Sequence, residues 1–196
     1  MARAGKNRNT SSSRSTNAVT NRTARAPVHK PLANTNVHIF VDDQNLFWGI
    51  VNSLRDKSFR LDIGILTLSA AKSSSGSTRF IKSAYVAGVI PDDDYFWEIW
   101  KQHNFIVNRG FLGVNNRSKQ DDAFLIRDMT KTICREEGPS TIVLIAGDAD
   151  YGPPLEFAIE EGWRVEVLTT GRGVSSALEK YTHEFRVVNE ETIRRM

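Results

Sequence analysis

The chain has 196 residues, 40% of them hydrophobic, a formal net charge of +3, four histidines and one cysteine. That length suits one domain plus an appendage, and no apolar run approaches the ~20 residues of a membrane span. A lone cysteine excludes an internal disulfide, and the histidines His29, His38, His103 and His183 lack the spacing of a zinc site.

The charge is unevenly divided. Residues 1–36 hold seven Lys or Arg and no acid, leaving 19 basic and 23 acidic residues, a net of −4, in the rest. A segment rich in Ser, Thr, Asn and Arg with few large apolar residues cannot offset its ordering entropy, so residues 1–35 are expected to form a disordered basic tail. Such a tail sweeps about 35 Å and can hold a polyanion beside the body. Acid-poor, Ser- and Arg-rich N-termini are also similar to organelle transit peptides. A cytoplasmic location is the expectation, with an organelle as the alternative. Cys134 falls in an apolar helical pattern and is expected to be a small buried hydrophobe.

Val37, Ile39, Phe40 and Val41 predict a short buried strand, with Asp42 at its carboxyl end. Leu46, Phe47, Ile50, Val51 and Leu54 then recur at helical spacing, with Asp43 the expected cap. Asp62 predicts the N-cap of a second helix running to Ala71. Residues 79–89 predict a second strand, and Pro91-Asp92-Asp93-Asp94 opens a helix carrying Phe96, Trp97, Ile99 and Trp100. Trp97 and Trp100 fit a core role; exposure would instead make them a dimer contact or a base-stacking platform. Residues 105–107 predict a third strand. Residues 109–120, with Gly110, Gly113, Asn115 and Asn116, predict a loop made positive by Arg109, Arg117 and Lys119.

Asp121 and Asp122 open a helix with Phe124, Leu125, Met129 and Ile133 on its apolar face. Residues 142–146 predict a strand that stops at Gly147-Asp148-Ala149-Asp150-Tyr151-Gly152. A helix over 153–161, a strand over 165–168, a helix over 174–181 and a strand over 185–188 complete the pattern. Strands alternating with helices predict an α/β fold, a mainly parallel central sheet with helices on both faces.

Three element termini therefore present oxygen donors: Asp42 with Asn45, Asp121 with Asp122, and Asp148 with Asp150. Taken singly, each aspartate fits a cap or turn as well as a metal ligand. Their conjunction at crevice-facing termini favours a metal. Two carboxylates 4 Å apart cost ~4 kcal/mol at an effective dielectric of 20, and a dication removes that cost. Hard oxygen donors suit Mg²⁺ or Mn²⁺, and the matching chemistry is hydrolysis of a phosphate ester. Asp92, Asp93 and Asp94 fit a solvated helix start. No Walker-type phosphate loop occurs. An acid-ringed phosphoacceptor receiver domain is disfavoured, because Gly147-Asp148-Ala149-Asp150 stands where its late-strand lysine belongs.

Ile-Phe-Val-Asp42-Asp-Gln-Asn45-Leu-Phe, Lys119-Gln-Asp-Asp122-Ala-Phe-Leu-Ile-Arg-Asp128-Met and Ile-Val-Leu-Ile-Ala-Gly-Asp148-Ala-Asp150-Tyr-Gly-Pro-Pro-Leu together resemble the NYN domain. This PIN-like nuclease group includes LabA-like and regnase-type proteins, and the similarity spans roughly residues 36 to 189. It implies a three-layer α/β/α PIN-like fold over residues 36–196, an acidic pocket for Mg²⁺ or Mn²⁺, and endonucleolytic cleavage of single-stranded RNA. Asp42, Asp122, Asp148 and Asp150 are its implied metal ligands, directly or through water, and Asn45 would orient Asp42 or bind a water. Arg117 and Lys119, with Arg109, are the implied RNA contacts. The role of Asp121 is less defined, because LabA-like members usually carry one aspartate there. Asp128 is implied in a supporting role, and Asp43 departs from the small or apolar residue many relatives carry. The alternative is an RNA-binding or regulatory module on the same scaffold with little or no turnover, and a homodimer is compatible with either.

Overall fold

The computed structural model describes residues 36–89, 94–112, 118–171 and 174–195. The basic tail, Pro91 to Asp93, Arg117 and the side chain of Lys119 lie outside the described residues.

Six strands form one sheet: β1 (Asn36–Asp42), β2 (Phe80–Gly88), β3 (Ile106–Arg109), β6 (Thr141–Ile145), β7 (Arg164–Thr169) and β8 (Glu184–Val187). Their spatial order is β3-β2-β1-β6-β7-β8, and every neighbouring pair is parallel. The chain builds outward from β1 in one direction and from β6 in the other, so the order reverses between these two strands. In open parallel sheets that switch point opens a crevice beyond the carboxyl ends of the strands.

Helices cover both faces. On one, Val37, Ile39 and Val41 of β1 pack against α1 (Asp43–Leu54), α2 (Ile63–Ala71) and α3 (Phe96–Gln102) through Leu46, Ile50, Leu66, Trp97 and Trp100. On the other, Phe40 packs with Leu125 and Met129 of α4 (Asp121–Arg135) and Leu155 of α5 (Gly152–Glu160). The odd–even partition of β1 follows from the period-2 alternation of a strand, and each fully buried side chain of this size contributes roughly 1.5–3 kcal/mol. Trp97 and Trp100 are both fully buried, so they are core and neither a platform nor a dimer contact.

Asp62 caps α2 as its sequence position predicts, its Oδ1 accepting the Ile65 N–H at 2.9 Å. The carboxyl end of α2 is held by Arg79 and Arg186, whose guanidinium groups donate to the carbonyls of Ala70 and Lys72. Both arginines, together with Arg164, converge on Glu166, which is fully buried. The orphan carbonyls at the end of α2 and the Glu166 carboxylate thus share the same guanidinium donors, with Arg186 Nε alone among the buried nitrogens of this group left without a hydrogen bond.

Three expectations need correction. Residues 109–120 contain a two-stranded antiparallel pair, β4 (Phe111–Leu112) with β5 (Ser118–Lys119), where a plain loop was predicted. Ser176–Tyr181 is a 3-10 helix rather than an α-helix. Cys134 is exposed, because one step beyond Ile133 turns about 100° around α4 and off its apolar stripe.

Candidate metal centre

The end of β1 turns directly into α1, and Asp42 performs the turn. Its Oδ1 accepts the Asn45 N–H at 2.9 Å, so Asp42 and not Asp43 is the helix cap. Asp42 lies on the α4 side of the sheet, two residues on from Phe40, and is 3% exposed.

Asp121 and Asp122 arrive from the first turn of α4. Gln120 precedes them with φ +71° and provides no side-chain cap, so the uncapped helix start favours negative charge. Asp121 is buried, and its Oδ2 has no hydrogen-bond partner among the described residues. Asp42, Asp121 and Asp122 each present an oxygen within 4.8 Å of the others.

Tyr151 closes the group from the 3-10 turn Ala149–Tyr151 after β6. Its hydroxyl stands 3.1 Å from Asp42 Oδ2 and 3.2 Å from Asp122 Oδ1. A phenol has one hydrogen, so it donates to one carboxylate at a time, and the other contact needs a carboxyl proton or a cation. Burial, reinforced by the charges of Asp122 and Asp121, pushes Asp42 up to about 7 against the opposing bonds from Asn45 and Tyr151. Burial and the neighbouring charges of Asp121 and Asp148 also raise Asp122. Burial and the two carboxylates raise the Tyr151 phenol far above its ordinary range, so it stays protonated. Next to it, Gly152 makes room for the Tyr181 ring, because a Cβ there would meet Tyr181 Cε2 at 2.7 Å.

The other residues singled out in the sequence are placed as follows. Asn45 turns its side chain away from Asp42: its Oδ1 accepts the Gly147 N–H at 2.7 Å, tying α1 to the end of β6. Asp148 is half-buried and close enough to raise Asp122, but lies outside the three-carboxylate group; its Oδ1 accepts the Asp150 N–H at 3.0 Å. Asp150 is exposed and also outside the group. Asp128 is buried and binds Asn108 Nδ2 at 2.8 Å and Arg127 Nε at 2.8 Å, pinning β3 to α4. Arg109 is exposed, its guanidinium 5.3 Å from the Trp97 ring centre. Tyr151 is the residue that the sequence reading missed; a tyrosine in a turn flanked by acids was the available signal, since a buried phenol needs a polar partner.

Three clustered carboxylates, one with an orphaned buried oxygen and one whose carboxyl burial pushes up to about 7, match an all-oxygen site for a hard divalent cation. The sequence model of the NYN domain matches residues 36–189. The chain belongs to the NYN domain family. This NYN domain is therefore a member of the PIN-like nuclease superfamily, whose members are generally hydrolases that typically use divalent metals. A protein of unknown function from Vibrio parahaemolyticus, known from its crystal structure, has a TM-score of 0.66 to this NYN domain at 16% identity. The likeness covers 83% of this chain and 97% of that one, and shows the shared fold. A comparison with curated proteins finds no match. Among the described residues no helix of this NYN domain is long and apolar enough to cross a membrane.

Proposed function

We propose that this NYN domain is a Mg²⁺- or Mn²⁺-dependent endoribonuclease that hydrolyses phosphodiester bonds of single-stranded RNA. The observation that carries the reading is the convergence of Asp42, Asp121 and Asp122, from β1 and α4, within 4.8 Å at the switch point of the sheet.

Asp42, Asp121 and Asp122 would hold the cation, with Asp148 reaching it through water. A bound dication supplies Lewis acidity toward a phosphate oxygen and lowers the pKa of water. Tyr151 and the Asn45 N–H hold the Asp42 carboxylate in one orientation, so little rearrangement is needed on binding. The start of α4 also offers backbone N–H groups to a phosphate oxygen. Arg109, Arg117 and Lys119 lie in or next to the segment that leads into α4 and would contact the RNA backbone. The basic segment 1–35 would raise local RNA concentration in a salt-dependent way.

The test is cleavage of labelled single-stranded RNA by purified protein with Mg²⁺, Mn²⁺ or EDTA, alongside Asp122→Asn and Asp148→Asn. Metal-dependent cleavage lost in Asp122→Asn supports the enzyme. RNA binding without cleavage under every metal would assign the alternative, a binding module.

A further inference from the structure

A second feature begins at Asp43, one residue on from Asp42 of the carboxylate group. A cavity of about 780 Å³ lies between α1, α3 and the connector that follows α1, within the size range of small-ligand sites. Four aromatic side chains line it: Phe47 and Trp48 from α1, Tyr95 and Phe96 from the start of α3. Trp48 is 48% exposed yet held, because its Nε1 donates to Gln44 Oε1 at 3.0 Å while Gln44 Nε2 donates to the Val89 carbonyl at 3.1 Å.

Asp43 borders the same cavity. It is 3% exposed, and its Oδ1 has no hydrogen-bond partner among the described residues. Gly88 of β2 makes room for it: a Cβ at Gly88 would stand 3.0 Å from Asp43 Cβ and 3.3 Å from Oδ2. An unpartnered buried carboxylate is costly unless a ligand supplies donors. The cations Lys57, Arg60 and Arg195 also line the cavity, and none is ion-paired with a carboxylate among the described residues. Arg60 is steadied by the Phe59 carbonyl at 2.8 Å.

An aromatic-lined cavity, a buried acceptor and a rim on which Lys57, Arg60 and Arg195 outnumber the one further acid, Asp94, match the three parts of a nucleotide. The acceptor selects among bases. Guanine presents adjacent N1–H and N2–H donors, a fork that fits both oxygens of a carboxylate. Adenine and cytosine set one amino donor beside a ring acceptor, and uracil flanks its N–H with two carbonyls, so each turns lone pairs toward the acid. Stacking on Trp48 or Tyr95 adds base-independent affinity. Asp42 and Asp43 are consecutive, with Cα atoms about 3.8 Å apart, so adjacent residues border the carboxylate group and the cavity, and a strand whose phosphate reached the group would carry a neighbouring base near the cavity.

We propose that this cavity is a guanine-base subsite that selects the RNA position presented to the carboxylate group. The assignment deepens the ribonuclease reading and rests on it for the strand, but guanine binding is measurable without cleavage. Calorimetry on the full chain with 5′-GMP, AMP, CMP and UMP, in EDTA, tests it directly, together with quenching of Trp48, since Trp97, Trp100 and Trp163 are buried. GMP should bind at least about tenfold more tightly than the other three, with Asp43→Asn and Trp48→Ala each removing about tenfold or more. Trp48 is half exposed, so its variant tests the cavity even if Asp43→Asn misfolds. Equal binding of all four nucleotides, or GMP affinity unchanged in Trp48→Ala, would overturn the subsite. A guanine-containing oligonucleotide in EDTA should bind more tightly than GMP or GTP; the reverse order would assign the cavity to free nucleotide and overturn its role in RNA selection. GMP binding without RNA cleavage under any metal would leave a guanine site and sink the nuclease, whereas cleavage indifferent to guanine, without GMP binding, would sink the subsite alone.

Discussion

Asn45 Oδ1 accepts the Gly147 N–H at 2.7 Å, and this bond joins the first turn of α1 to the end of β6 across the switch point. Gly147 is buried, so Asn45→Ala leaves its N–H without a partner and should cost about 1–3 kcal/mol. Asn45→Asp keeps an acceptor at that position and should restore most of the loss. Thermal melts of the two variants decide it, and equal destabilisation would contradict the assigned bond.

Tyr151→Phe keeps the buried ring and removes the hydrogen that quiets Asp42 and Asp122. The variant should melt below the parent in EDTA, by the equivalent of about 1–3 kcal/mol, and approach it in saturating Mn²⁺. A gap that is the same with and without metal would show that the hydroxyl acts only in packing.

Asp42 is raised from 3.8 to about 7 in the folded protein. Its contribution to stability is therefore fully present below pH 3.8 and lost as pH rises through 7, where folding must carry a buried charge. Metal binding needs that carboxylate and displaces its proton. Mn²⁺ affinity should accordingly level off above about pH 8 and fall by about tenfold or more per unit below 7, since Asp122 is raised as well, as measured by calorimetry in buffers of different ionisation enthalpy. A pH-independent affinity between 5.5 and 8 would contradict the buried-proton account.

Burial works to raise Glu166, but Arg79 and Arg164 outweigh it and leave its carboxyl below the ordinary range. That stability is present above pH 4.5 and lost as pH falls. Glu166→Gln removes the charge shared by three guanidinium groups, the one carboxylate paired with the buried Arg79, and should cost about 3–5 kcal/mol in urea unfolding. Mn²⁺ affinity of the folded fraction should not change. A destabilisation below 1 kcal/mol would mean that the arginines find other acceptors.

Much of this arrangement was legible in the sequence because burial leaves a trace in the order of apolar residues. The short apolar run Val37, Ile39, Phe40 and Val41, buried on both faces, announces β1, and Asp62 announces α2 by capping it. The pairing of β4 with β5 left no such trace, since each contributes only two residues, too few to show a period. Asp42 and Asp43 show the limit at the site. Both are acids at a strand-to-helix boundary, and only backbone geometry decides which caps the helix and which is left buried without a partner. Likewise, Asp121 joins the carboxylate group and Asp150 does not, a distinction set by how α4 and the turn after β6 are aimed.

The Glu166 cluster and the carboxylate group around Asp42 differ in where their counter-charge comes from. Glu166 is neutralised by three guanidinium groups of its own chain, whereas no Lys or Arg pairs with Asp42, Asp121 or Asp122 among the described residues. A centre balanced from within needs no dissolved cation to hold its shape. One left open to the medium makes the polypeptide itself a reporter of dissolved ions, so the temperature at which this protein unfolds should climb with free Mg²⁺ or Mn²⁺ even when no RNA is present.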